Sequence, residues 1–138
     1  MPFKKRASDG GFDFYVDFKD SGIETDSYVL QPGEVKKLST GVHCRFPKNT
    51  VWQWDVRSSV GLKGIIVSCR TVDQEYLGCL HVVIVNSTQF PIQINDQERL
   101  SQLVPNPFSS NFYFQQVATL EELGQTSRAG KGFGSSGK

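Results

Sequence analysis

The chain is 138 residues long and near neutral, with a net charge of +1, 38% hydrophobic residues and 21% charged residues. That length fits one domain able to bury roughly two-thirds of its unfolded surface, and the composition excludes both a disordered chain and a strongly basic nucleic-acid-binding surface. No apolar run reaches the roughly 18 residues of a membrane span, and the N-terminus lacks the apolar core of a secretion signal. The expectation is a soluble intracellular protein, cytoplasmic or nuclear, with no stable hold on nucleic acid or membrane.

In chain order, Lys4-Lys5-Arg6 is too short for a targeting or nucleic-acid patch and reads as a solvated terminus. Gly10-Gly11 opens a stretch in which Phe12, Phe14 and Val16 alternate with Asp13, Tyr15 and Asp17. This is the period-two pattern of a half-buried strand, with Asp13 turned away from the phenylalanines. Turn residues at Gln31-Pro32-Gly33-Glu34 precede Val35 and Leu38, and a strand is predicted at 42–46 before a further turn at Pro47-Lys48-Asn49. Trp52, Trp54 and Val56 alternate with Gln53 and Asp55, and further strands are predicted at 64–68, 80–86, 90–94, 100–104 and 112–117. About nine short strands with turn signals every 8–12 residues make an all-β sandwich or jelly roll. Pro91 has no N–H to give a ladder, which places its strand at a sheet edge. The one helical signal is Thr119–Gly124, where Thr119 can cap the Glu122 amide and Gly124 can close a single turn. From Gln125 the composition turns glycine-, serine- and cation-rich, predicting a main domain over 1–124 and a flexible arm over 125–138.

Cys44, Cys69 and Cys79 are odd in number and lack CxxC spacing, so they read as buried thiols and not as a disulfide framework or zinc site. His43 and His81 sit in strand patterns without a second ligand at a metal-binding offset and read as structural. The chemistry concentrates elsewhere. Val72–Gly78 sets Asp73, Glu75 and Tyr76 on a turn between apolar runs, where a scaffold holds polar groups over a pocket. Arg57-Ser58-Ser59 ends the tryptophan strand with a guanidinium, two hydroxyls and nearby glycines, the materials of an anion-binding turn. The arm interleaves Arg128 and Lys131 with glycines and serines, which suits a polyphosphate clamp.

In this order the segments resemble one family over nearly the whole chain, the trimeric deoxyuridine triphosphate nucleotidohydrolases, or dUTPases. The resemblance rests on Gly11–Phe14, Arg57–Ser59, Val72–Gly78, Glu98–Leu103 and Arg128–Gly137, the last being the most specific. It implies a distorted jelly roll with a flexible glycine-rich C-terminal tail, forming a homotrimer with shared sites that hydrolyses dUTP to dUMP and pyrophosphate with Mg2+. In the implied roles, Asp73 deprotonates the water that attacks the α-phosphorus, and Asp13 holds the magnesium through water. Tyr76 lies against the deoxyribose, with uracil over the Asp73–Tyr76 hairpin. Ser58 and Gln102 hold phosphate oxygens with Arg57 alongside, and Ser59 and Gly61 complete that side of the substrate. Arg128, Ser135 and Ser136 grip the β,γ end, Phe133 stacks on the uracil, and Gly132 and Gly134 belong to the same clamp. The chain departs from the family pattern at Ser68-Cys69-Arg70-Thr71, where a glycine-rich segment usually lines the uracil pocket, and at Leu77, Asp96-Gln97 and Ala129. Two other readings share the fold: a dCTP deaminase-related enzyme, against which stand the hairpin and the complete tail, and a nucleotide-gated protein that binds a regulatory partner.

Overall fold

Period-two alternation builds most of the chain into short strands. The computed structural model describes residues 1–108 and 114–124. Among these are the strands β1 (Phe12–Tyr15), β2 (Ser27–Leu30), β3 (Val35–Ser39), β4 (Thr50–Val56), β5 (Ile65–Val67), β6 (Thr71–Val72), β7 (His81–Asn86), β8 (Ile92–Asn95) and β9 (Arg99–Pro107). They form three antiparallel sheets, ordered β1-β9-β4-β6, β2-β8 and β3-β7-β5. The protein is all-β, with one helical turn, α1 (Ser58–Gly61), and a 3₁₀ turn at Leu120–Leu123. No helix among the described residues is long and apolar enough to cross a membrane.

The inward residues of these sheets meet in one core that includes Phe14, Leu38, Trp54, Ile84, Ile94 and Leu103. Trp54 is 1% exposed and meets Phe14 edge to face, with ring centroids 5.0 Å apart. β7 shows the alternation most cleanly, with Val82, Ile84 and Asn86 buried and the residues between them half-buried. Asn86 is fully buried and fully satisfied. Its Nδ2 donates to the carbonyls of Leu30 (3.0 Å) and Phe90 (2.7 Å), and its Oδ1 accepts from the amide and hydroxyl of Thr88.

Several local expectations change. Residues 42–46 are not a strand: Val42, Cys44 and Phe46 do turn inward, but the backbone makes only a short exchange with Leu80. Residues 114–117 are also outside any strand, and Phe114 is fully exposed; 112 and 113 lie outside the described residues. β2 and β6 are additional strands. β8 pairs only with β2, so the strand that follows Pro91 is an edge, as the missing N–H requires. The 3₁₀ turn is closed by the Glu122 carboxylate accepting from the Thr119 amide (3.2 Å) and by Gly124 at φ +77°. Gly64, at φ +84°, hands α1 on to β5, and a Cβ there would lie 2.1 Å from Thr88 Cγ2.

Candidate active site

β1 turns Phe12 and Phe14 to one face and Asp13 to the other, and ladder pairing sets Asp13 opposite Gln102 on β9. Asp13 Oδ2 accepts from Arg57 Nε (2.9 Å) and lies 3.4 Å from Arg99 Nη1, while Arg57 Nη1 donates to the Arg99 carbonyl (3.2 Å). These partly exposed pairs add little stability, and their consequence is orientation: one carboxylate aims two guanidiniums. Gly11 makes room beside them, since a Cβ there would lie 2.8 Å from Gln102 Oε1. The resulting cleft, about 520 Å³, is lined by Lys5, Arg6, Asp9, Asp13, Arg57, Ser58, Ser59, Arg99 and Gln102 together with Phe3, Gly10 and Gly11. Lys5 and Arg6, exposed as a solvated terminus should be, nonetheless line this cleft, and Arg99 joins them from the Glu98–Leu103 segment, in which Gln102 alone carries an implied role. Gly61 lies within α1, against Val56, and is not among the lining residues.

The second half of the site is the segment after β6. The Tyr76 amide donates to the Asp73 carbonyl (3.1 Å), closing a turn, and the Tyr76 hydroxyl donates to the Cys79 carbonyl (2.8 Å). The Tyr76 hydroxyl lies over Gly78, where a Cβ would approach it to 2.5 Å, so glycine is required for this placement. The stems of the segment part company, β6 pairing with β4 in one sheet and β7 with β3 and β5 in another. Between them is a cavity of about 180 Å³ lined by Trp54, Cys69, Thr71, Val72, Asp73, Tyr76, Leu80 and His81. On the other side of Asp73 and Tyr76 opens a wider cleft of about 760 Å³, reaching Thr50, Val51, Gln74, Glu75 and Phe108. Two expectations are corrected here. Cys69 is exposed, because β5 ends at Val67, while Cys44 and Cys79 are half-buried and burial pushes the Cys44 thiol up. His81, expected to be structural, lines the cavity; its place facing away from Val82 and Ile84 was the available signal.

Among the described residues the two halves share no lining residue. Val72, next to Asp73, pairs with Trp52, and Arg57 lies five residues further along β4. At ~3.3 Å per residue this sets the halves roughly 17 Å apart. Arg128, Gly132, Phe133, Gly134, Ser135 and Ser136 lie outside the described residues, as does the whole proposed arm over 125–138.

No group of three His, Cys, Asp or Glu among the described residues could hold a metal by itself. Asp13 Oδ2 is committed to the guanidiniums, whereas Oδ1 has no hydrogen bond among the described residues. One such carboxylate beside hydroxyls and cations fits Mg2+ carried mainly by phosphate oxygens and water, the usual manner for this ion.

A family model described as dUTPase matches residues 1–137. The deoxyuridine 5'-triphosphate nucleotidohydrolase of variola virus is 26% identical over 136 residues, covering 99% of this chain and 84% of that protein. Among solved structures, the dUTPase of Staphylococcus bacteriophage 80alpha with dUpNHpp superposes at a TM-score of 0.81 and 25% identity, covering 100% of this chain and 92% of that one. The D95N dUTPase of phage phi11 of S. aureus, described with a structural Mg(II) ion, superposes at 0.70 with 24% identity, over 88% of this chain and 91% of that one. Its likeness extends to the fold. With the family model spanning all but the last residue, the chain belongs to the dUTPase family.

Proposed function

We propose that this chain hydrolyses dUTP to dUMP and pyrophosphate in a homotrimer whose active sites are shared between subunits. The observation that carries this reading is that Asp73 and Arg57 line separate clefts with no lining residue in common. In this reading the carboxylate acting on the α-phosphorus and the cationic cleft holding the same triphosphate come from different copies of the chain.

In this mechanism the uracil enters the cavity of about 180 Å³ beside Tyr76. Cavities of about 150 Å³ accommodate a benzene-sized ring, so one six-membered ring fits. In this reading the Tyr76 ring, held by its bond to the Cys79 carbonyl, lies against the deoxyribose and excludes a ribose 2'-hydroxyl. The triphosphate extends into a second subunit's cleft, where Arg57 and the hydroxyls of Ser58 and Ser59 take phosphate oxygens and Gln102 donates from the side. Asp73 takes a proton from the attacking water, oxygen bonds to the α-phosphorus, and the α,β-bridging oxygen leaves with pyrophosphate, retaining the electrons of the broken bond. Mg2+ when bound supplies charge neutralisation on the phosphate oxygens, and Asp13 is the residue that would hold it through water. The arm closes from the third subunit, with Arg128, Ser135 and Ser136 on the β,γ end and Phe133 on the base, with Gly132 and Gly134 allowing close approach; closure excludes bulk water.

The direct experiment is pyrophosphate release measured across the four deoxynucleoside triphosphates, dUTP and UTP, with ammonia release from dCTP followed in parallel. Turnover of dUTP well above all others supports the assignment. Ammonia from dCTP, or no preference for dUTP, refutes it.

A further inference from the structure

We infer that Lys5 and Arg6 are polyphosphate-binding residues, supplying the surplus positive charge of the Asp13–Arg57 cleft. The inference rests on the proposed reading of that cleft as the phosphate side of the site. It adds a segment that none of the motif segments contains.

The N-terminal segment is fixed at both ends. Phe3 and Asp13 exchange two backbone hydrogen bonds, Phe3 N to Asp13 O at 2.8 Å and Asp13 N to Phe3 O at 2.7 Å. The Arg99 guanidinium sits 5.5 Å from the Phe3 ring centroid, and Lys4 Nζ sits 5.0 Å from that of Phe12. Beyond this latch the Arg6 amide donates to Asp9 Oδ2 (2.8 Å) and the Asp9 amide donates to the Arg6 carbonyl (3.1 Å), so a closed turn presents Lys5 and Arg6. Both side chains are exposed, and both line the same cleft as Arg57, Ser58 and Gln102.

The charge balance gives these two residues their weight. The cations lining the cleft are Lys5, Arg6, Arg57 and Arg99, and the carboxylates are Asp9 and Asp13. Asp13 is engaged by both guanidiniums of the cleft wall, and Asp9 adds a second negative charge. Without Lys5 and Arg6, the cleft would be neutral overall. A neutral cleft offers hydrogen bonds but no net attraction for a polyanion; with Lys5 and Arg6 the attraction grows with the number of phosphates and is screened by salt.

The test is calorimetric binding of inorganic tripolyphosphate to the full-length protein in magnesium-free buffer, which needs no catalysis. Relative to wild type, the double variant Lys5→Ala with Arg6→Ala is expected to bind about tenfold more weakly and with a shallower salt dependence. The charge-conserving pair Lys5→Arg with Arg6→Lys is expected to keep the affinity, and a loss as large as that of the alanine pair would overturn the inference. Arg57→Ala serves as the reference. If it weakens binding while the alanine pair binds like wild type, the inference fails and the proposed function stands. If neither variant weakens binding, the cleft is not the phosphate site and both fail.

Discussion

Tyr76 and His81 share one acceptor: the Tyr76 hydroxyl and His81 Nδ1 each lie 2.8 Å from the carbonyl oxygen of Cys79. A carbonyl can only accept, so Nδ1 of His81 carries a proton and the two side chains are set by the same backbone atom. Tyr76→Phe keeps the ring and loses one bond, whereas Tyr76→Ala opens the space beside the sugar. The expected outcome is that Tyr76→Ala narrows the ratio of kcat/KM between dUTP and UTP far more than Tyr76→Phe does. Equal ratios in wild type and Tyr76→Ala would show that the ring does not select the sugar.

Asp73→Asn preserves shape and removes the base, so turnover should fall by about 10²–10⁴-fold while binding of the non-hydrolysable dUpNHpp changes little. A protein lacking residues 125–138 should still fold, because the buried core lies between Phe14 and Leu103, but it should lose most of its activity. After subunit exchange, mixing these two inactive proteins should restore part of the activity, since some sites would combine an intact Asp73 with an intact arm. Exchange demonstrated by mass spectrometry without recovery would rule out sharing of hairpin and arm between chains.

Asn86 is expected to govern stability and not chemistry. Its amide satisfies two carbonyls and accepts two Thr88 donors at a position with no exposure. Asn86→Ala removes the donor to the buried Leu30 carbonyl and the acceptor of the Thr88 amide, and urea denaturation should show a loss on the order of 3 kcal/mol. A loss indistinguishable from that of a surface substitution would mean that water replaces the amide.

Glu34 supplies a pH-dependent increment. The Tyr28 hydroxyl donates to its carboxylate, which is also bonded by the Gln31 amide at 2.8 Å and has Lys36 nearby. The Tyr28 bond chiefly, then the backbone bond and the lysine, hold the Glu34 carboxyl below its ordinary value of 4.5 against the opposing effect of burial. A lowered folded-state pKa contributes stability above the unfolded value that is lost as pH falls through the folded one. Wild type should therefore melt above Glu34→Gln at neutral pH, with the gap closing in acid. A gap independent of pH would assign it to shape alone.

The alternation at Phe12–Val16 and Trp52–Val56 and the apolar run before Asn86 carried enough information to place β1, β4 and β7, because those segments report directly which side chains face the core. The same signal misled at 42–46, where Val42, Cys44 and Phe46 do face inward but pair with no strand among the described residues. Periodicity records facing and is silent on ladder partners. Asp73, Tyr76, Arg57 and Ser58 could be singled out because their residue types are grouped in short segments, and the structure sets them along clefts. Lys5, Arg6, Arg99 and His81 could not, since their roles arise from the Phe3–Asp13 pairing, the β9 register and the junction of two sheets, all contacts between residues distant in sequence.

The stems of the Asp73 segment belong to different sheets, so no ladder of its own holds it shut. The width of its mouth is a readout of how the two layers lie on each other, much as the gap of a pair of tongs is set at the pivot. Trimming an apolar side chain at that pivot, such as Val82, which is buried and does not line the cavity, would retune the fit of the base without altering any atom that touches it.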